Sequence, residues 1–167
     1  MLSLWLVIVN RLANSTVNGE DMTAAVANLQ AAQRDAAARR PGVQAFPHLA
    51  ETMRRAGVRI TTWWLPAMHS LYETDLGPVC IQDVPLVEGM SEVPSFDQEA
   101  LVAALRADQA GETSFREFAA AAWRAGVLRY VVDLENRTCT YFGLHHRSYV
   151  EHYAAVRICD NPGVSEA

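Results

Sequence analysis

The sequence predicts an α+β protein built from a duplicated helix–helix–strand–strand–strand unit, whose two similar halves share one core and form antiparallel hairpins. The main observation is an internal repeat, because residues 46–58 (FPHLAETMRRAGV) align without a gap with residues 115–127 (FREFAAAAWRAGV). Both segments carry apolar residues at helical spacing, and Gly57 and Gly126 stand where a left-handed residue would end each helix. Three runs rich in β-branched and aromatic residues follow each segment, which indicates three strands per half.

The repeat also predicts how the chain is divided. Met22 opens a natural helix, and the codons of Gly19 and Glu20 can contain a purine-rich ribosome-binding sequence at a suitable distance before it. We therefore expect translation to start at Met22. The chain is expected to comprise four segments: a non-native or disordered N-terminal extension (1–21), a first α+β repeat (22–90), a second α+β repeat (91–158) and a flexible tail (159–167).

The first half is expected to begin with a helix capped by Thr23. Residues 34–42 (RDAAARRPG) have no counterpart in the second half and are predicted to form a longer helix–helix loop. The next helix places Phe46, Leu49 and Met53 on one face, which is the pattern of an amphipathic helix. The three predicted strands that follow are 59–65 (RITTWWL), 70–74 (SLYET) and 78–84 (PVCIQDV).

The second half follows a linker, residues 87–97, that is rich in turn-forming and acidic residues. Its first helix is expected to be capped by Ser95 or Asp97. Its second helix is preceded by Ser114, and Glu117 stands three residues later, so that the two can form a capping box. The three predicted strands are 128–134 (LRYVVDL), 137–143 (RTCTYFG) and 147–153 (RSYVEHY).

Hairpins join these predicted strands. Glu135 and Asn136 separate the first two strands of the second half, and asparagine suits the positive φ that tight hairpin turns require. A three-stranded unit of this size is too small to be stable alone. We therefore expect the two halves to share a core or to join their strands in one sheet.

The composition excludes several classes of protein. A chain of 167 residues, half of them hydrophobic and a fifth charged, is typical of one globular domain or of two small halves. The formal net charge of −5 argues against nonspecific nucleic-acid binding, which needs a basic surface. Three scattered cysteines indicate neither a disulfide framework nor a zinc site, and the apolar MLSLWLVIV run is too short to span a membrane. We expect a cytoplasmic protein without a cofactor.

Several runs of the sequence resemble the YdfO-like domain of unknown function. The similar runs are Leu71–Pro78, Ala104–Phe118, Ala122–Gly143 and Tyr149–Ile158, and they occur in order at compact spacing. The family includes prophage-associated proteins, some of which are labelled "phage envelope protein". The resemblance implies an α+β fold, but it implies no activity, because the family offers no established catalytic residues.

The run RTCTYFGLHHRSYVEHY holds three of the five histidines. His145 and His146 are adjacent and would face opposite ways on an extended chain, so they do not converge as zinc ligands would. They also replace the small turn residues that the family resemblance leads us to expect, and the first half has no histidine in register with them. We therefore predict an exposed hairpin tip and no metal site, and contact with an unspecified ligand is the alternative that stays open.

The aromatic residues are better candidates for a site. Trp63 and Trp64 are adjacent on a predicted strand, so one should enter the core while the other faces outward. Tyr72 and Tyr141 recur at equivalent positions of the two halves, and Cys139 shares a face with Tyr141 as a core residue would. Core packing is the first interpretation of these aromatic residues, because they supply most of the bulk of an alanine-rich protein, and a binding surface is the alternative. The candidate ligand- or partner-binding residues are Trp63, Trp64, Tyr72, Asp75, Tyr141 and Tyr149.

Two functions remain open at this point. The first is a non-catalytic binding or accessory module that contacts an unknown protein or small molecule through an aromatic sheet face or the inter-repeat groove. The alternative is an enzyme with a polar pocket between the repeats, but no catalytic residue is assigned, because GxSxG, GxGxxG and Walker motifs are absent. Convergence of the polar candidates in one pocket would favour the enzyme. These candidates are Tyr72, Tyr141, Asp75, His69 and Glu151.

Overall fold

The computed structural model describes residues 23–38 and 45–158, which form an α+β fold of four helices and a six-stranded antiparallel sheet. The predicted fold class is confirmed. The order helix–helix–strand–strand–strand occurs twice along the described chain, whereas a duplication as its origin stays a prediction. The elements are α1 (Ala24–Ala38), α2 (Ala45–Arg55), β1 (Val58–Trp64), β2 (His69–Thr74), β3 (Val79–Gln82), α3 (Gln98–Gln109), α4 (Phe115–Arg124), β4 (Arg129–Asp133), β5 (Thr138–Phe142) and β6 (Ser148–His152).

The helices of the second half begin where their capping residues predict. The Asp97 carboxylate accepts a hydrogen bond from the backbone N–H of Ala100, which makes Asp97, and not Ser95, the cap of α3. Ser114 and Glu117 form a capping box at the start of α4, in which each side chain accepts from the other residue's backbone N–H. These caps satisfy N–H groups that the first turn of a helix leaves without partners.

The first helix is longer than the sequence predicts. The sequence predicts a loop at residues 34–38, but α1 continues to Ala38. Ala32 and Ala36 are buried four positions apart on one face of α1, and alanine has the highest intrinsic helix propensity. Packing and propensity therefore both extend the helix through this segment, while residues 39–44 lie outside the described residues.

The sheet joins the two halves through its central strands. Its strand order is β3-β2-β1-β4-β5-β6, so that β1 and β4 pair at the centre. One continuous core includes Val58 and Leu65 of the first half and Val127 and Val132 of the second. This arrangement confirms that the halves share a core and a sheet.

The turn between β4 and β5 differs from the prediction in one detail. The Asp133 carboxylate accepts hydrogen bonds from the backbone N–H groups of Glu135 and Asn136, at 3.1 and 2.9 Å. The positive φ falls on Arg137, at 54°, and not on Asn136. The left-handed residue therefore comes at the end of the turn, while Asp133 binds the N–H groups at its start.

Each face of the sheet has its own chemistry. Trp63, Tyr130 and Tyr141 lie side by side on the inner face and are at most 1% exposed, and the ring of Phe115 from α4 meets Trp63 at 4.9 Å. The outer face carries the alternate residues, among them the partly exposed Trp64. The prediction that the two tryptophans point in opposite directions is therefore confirmed.

Among the described residues, no helix has the length and hydropathy to cross a membrane.

Candidate functional site

Three of the predicted site residues lie in the core. Trp63, Tyr72 and Tyr141 are 1%, 3% and 0% exposed. Burial, followed by the neighbouring Cys139, raises the pKa of Tyr141 well above its usual value, so its hydroxyl stays protonated. Burial likewise raises the pKa of the Cys139 thiol to about 12, which fits the predicted core role of this cysteine. In this conformation these side chains pack the inner face and leave no surface for a partner.

Asp75 occupies an exposed turn and is bound to an arginine. Its two carboxylate oxygens accept hydrogen bonds from Nε and Nη2 of Arg59, at 2.9 and 2.6 Å. The same guanidinium donates to Glu135, at 2.6 Å, and therefore links the turn after β2 to the turn after β4. The hydrogen bond from Arg59 lowers the pKa of Asp75. These contacts give Asp75 a structural role at the surface.

The polar candidates do not come together in a pocket. His69 and Tyr72 lie on opposite faces of β2, because His69 packs on the outward Trp64 whereas Tyr72 is buried. The Nε2 atom of His69 lies 3.6 Å from the sulfur of the exposed Cys80, away from Asp75. Glu151 pairs with Cys139 in the register of β6 and β5, at the edge of the sheet. The convergence that would favour an enzyme is therefore not found among these residues.

Tyr149 and Trp64 keep part of their surface exposed. Tyr149 extends the inner aromatic row to the edge strand, with its ring centroid 6.4 Å from that of Tyr141. Trp64 ends β1 on the outer face, and its ring meets the His69 ring edge-on at 4.9 Å. Trp64 borders a large cavity.

The cavity is an open groove at one end of the outer sheet face. Trp64 of β1 lies opposite Arg129 of β4, and Arg129 lies opposite Phe142 of β5, so the three side chains form one row across the sheet. The guanidinium carbon of Arg129 stands 3.9 Å above the centroid of the Phe142 ring, which is a cation–π contact. The groove has a volume of about 760 Å³. Its lining is completed by Pro66, Ala67, Leu128, Gly143, Leu144, His145 and His146.

One wall of the groove is the turn between β5 and β6. A hydrogen bond from the Arg147 N–H to the Leu144 carbonyl, at 3.1 Å, closes a two-residue turn at His145 and His146. Both histidines have positive φ, 53° and 61°, as a type I′ turn requires. The predicted exposed hairpin tip is confirmed. The expectation that the two histidines face opposite ways assumed an extended chain. That assumption is wrong, because both residues are in the left-handed region.

No metal site accompanies these histidines in the described part of the chain. Across residues 23–38 and 45–158, no group of three histidine, cysteine or acidic side chains is placed to hold an ion. The described residues that line the groove are aromatic, apolar or cationic.

Sequence reasoning missed Arg129 and Phe142. Each stands on a correctly predicted strand, and the alternation of side chains places each on the face opposite to Tyr130 and Tyr141. What the sequence lacked was the register between β1, β4 and β5, which aligns Arg129 and Phe142 with Trp64. The alternation of side chains along each strand, combined with the correct strand order and register, would have identified both residues.

Comparison with known proteins gives a family and uncharacterised relatives. The family model described as "Protein of unknown function (DUF1398)" matches residues 37–151. A protein of Mycobacterium bovis and a protein of Mycobacterium tuberculosis, both named as uncharacterized, are each 77% identical to this chain over 138 residues. The alignment covers 83% of this chain and 84% of each relative.

Proposed function

Because the chain belongs to the DUF1398 family of proteins of unknown function, we propose a function from the groove itself: a non-catalytic binding protein that holds a small molecule. The proposed site is the groove where Trp64, Arg129 and Phe142 meet the β5–β6 turn. It lies at one end of the outer sheet face, where β1 of the first half pairs with β4 of the second, and Trp64 is the residue that it shares with the site expected from the sequence.

One observation carries this proposal, namely the size of the groove together with its lining. A volume of about 760 Å³ falls within the range of about 300–1,000 Å³ that is usual for small-molecule sites. Such sites are mostly apolar and aromatic and contain a few polar groups that orient the ligand. Trp64 and Phe142 supply the aromatic surface, while Arg129 supplies the orienting charge.

The conformation of the turn supports the same site. A type I′ turn favours Asn-Gly, because both central residues need positive φ. His145 and His146 take this conformation at a cost of roughly 1–2 kcal/mol per residue relative to the right-handed region. Strained residues of this kind often occur at binding sites, where the side chain serves a purpose that the turn alone does not require. Both imidazoles border the groove.

The proposal predicts saturable binding of a fluorescent probe. We expect 8-anilinonaphthalene-1-sulfonate to bind with a stoichiometry of one per chain, and Trp64→Ala to weaken its affinity about tenfold or more, because removing an aromatic anchor from a binding site has effects of this size. Fluorescence titration measures the affinity. Circular dichroism checks that the variant keeps its fold.

Val150 offers a matched control for this titration. It is 47% exposed on strand β6 and does not line the groove. We expect Val150→Ser to leave the affinity within a factor of two of that of the unmodified protein. An equal loss in Trp64→Ala and Val150→Ser, or no loss in Trp64→Ala, would contradict the proposed site.

A second prediction separates the stability of the turn from binding. Replacing His145 by Asn and His146 by Gly gives the turn its preferred residues, so we expect the free energy of unfolding to rise by about 1 kcal/mol. The same double variant removes two groove-lining side chains, and the probe should therefore bind more weakly. Urea denaturation and probe titration measure the two effects. A variant that gains stability and binds the probe with undiminished affinity would exclude the histidines from the site.

Other expectations stay proposals alongside this function. They are the cytoplasmic location, the boundaries of the two repeats, and the likeness to prophage-associated YdfO-like proteins.

A further inference from the structure

The proposed groove has a one-sided charge. None of the described residues that line it is acidic, although the whole chain carries a formal net charge of −5. The groups that could carry charge there are Arg129, His145 and His146, all of them cationic when protonated. An acidic protein that lines one groove with cationic and apolar groups favours a negatively charged ligand at that place.

Arg129 is the group best placed to receive a negative charge. It lies in the row between Trp64 and Phe142, with its guanidinium over the Phe142 ring. Within residues 23–38 and 45–158, its guanidinium has neither a carboxylate partner nor a hydrogen-bond acceptor. Stacking on a ring uses the flat side of a guanidinium, whereas its N–H donors lie in the plane and suit an anionic oxygen.

Several other arginines of the described chain already donate to acceptors. Arg54 donates to Glu51 at 2.8 and 2.9 Å, and Arg59 donates to Asp75 and Glu135. Arg116 donates to two backbone carbonyls at 2.8 and 3.0 Å. Arg129 differs from these three in that its guanidinium contacts an aromatic ring and no acceptor, so its in-plane N–H donors are available to a ligand.

We propose that the ligand of the groove is a small organic anion, with its negative group at Arg129 and a flat apolar body against Trp64 and Phe142. This inference rests on the proposed binding function and specifies the ligand class. The body is required because a volume of about 760 Å³ is much larger than an inorganic anion and most of its wall is apolar. A flat body matches aromatic surfaces, on which rings pack face to face with an offset or edge to face.

Two probes with the same rings test the charge. The anionic probe 8-anilinonaphthalene-1-sulfonate and the uncharged N-phenyl-1-naphthylamine differ in the sulfonate alone. We expect the unmodified protein to bind the anionic probe at least fivefold more tightly than the uncharged one. Arg129→Gln should lower the affinity for the anionic probe about tenfold and change the affinity for the uncharged probe by less than twofold. Arg129→Lys, which keeps the charge, should lower the affinity for the anionic probe less than Arg129→Gln does.

Arg147 provides the matched control. It is an exposed arginine beside the same turn, 5.9 Å from the centroid of the Phe96 ring, and it does not line the groove. Arg147→Gln removes the same charge from the protein, so an unchanged affinity for both probes is expected. Inorganic phosphate at millimolar concentration should compete weakly with the anionic probe, because it lacks the apolar body.

The outcomes separate the ligand class from the binding function. If the unmodified protein bound the two probes with equal affinity, the inference that the ligand is an anion would be wrong, and a neutral ligand would remain. The same would follow if Arg129→Gln lowered the affinity for both probes equally. Strong competition by phosphate alone would overturn the requirement for a flat body. If neither probe bound, or if Trp64→Ala changed the affinity for neither, the proposed function would be wrong, and the inference would fail with it.

Discussion

Replacing Trp63 by alanine is expected to lower the free energy of unfolding by about 4 kcal/mol, since truncation of a fully buried Phe or Trp costs roughly 3–5 kcal/mol. The side chain is 1% exposed, and its ring meets Phe115, Tyr130 and Tyr72 at centroid distances of 4.9, 6.1 and 6.3 Å. These contacts join α4 to strands of both halves. Urea denaturation followed by circular dichroism measures the loss.

The neighbouring tryptophan is a natural control for this substitution. Trp64→Ala removes the same atoms from the next position of β1, but from the partly exposed outer face, so the expected loss is about 1 kcal/mol or less. Trp63→Phe keeps an aromatic ring in the core, so its loss of unfolding free energy should lie between those of the two alanine variants. This loss can be measured even if Trp63→Ala does not fold. Equal losses in the two alanine variants would contradict the assignment of the inner and outer faces.

Replacing Gly126 by alanine is expected to destabilise the fold by about 3 kcal/mol or more, because steric overpacking of roughly 1–3 kcal/mol adds to the strain of a left-handed residue. Gly126 has a φ of 80°, and an added Cβ would lie 2.5 Å from the carbonyl oxygen of Ser95 and 2.6 Å from the nitrogen of Phe96. Both are backbone atoms of the segment that leads into α3, so no side-chain rotation relieves the clash. Chemical denaturation measures the effect.

Gly57, the counterpart of Gly126 in the first half, is the matched control. Its φ is 86°, but an added Cβ would first meet the side chain of Asp75, at 2.9 Å. The exposed carboxylate can move aside at a small cost to its ion pair with Arg59, because exposed ion pairs contribute about 1 kcal/mol or less. Gly57→Ala should therefore cost about 1–2 kcal/mol, mostly the strain of the left-handed conformation. If Gly57→Ala destabilised the protein as much as Gly126→Ala, backbone strain alone would account for both, and the close contact with Ser95 and Phe96 would have no energetic weight.

The candidate site shows why recurrence in a sequence does not by itself identify function. Tyr72 and Tyr141 stand at equivalent places in the two halves, and the structure buries both in one core. Their recurrence therefore reflects a packing requirement that both halves share. His145 and His146, which have no histidine in register in the first half, instead line the groove.

The sequence by itself determined the features that depend on near neighbours along the chain. The Ser114 cap, the helix-ending Gly57 and Gly126, and the alternation of Trp63 and Trp64 all follow from interactions within a few residues. The choice of Asp97 over Ser95 as the cap of α3 came from the structure. Only the tertiary structure decided that β1 pairs with β4, which tryptophan is buried, and that Arg129 and Phe142 join Trp64. The physical reason is that the register of distant strands depends on backbone pairing and packing across the whole sheet, whereas caps and alternation depend on local geometry.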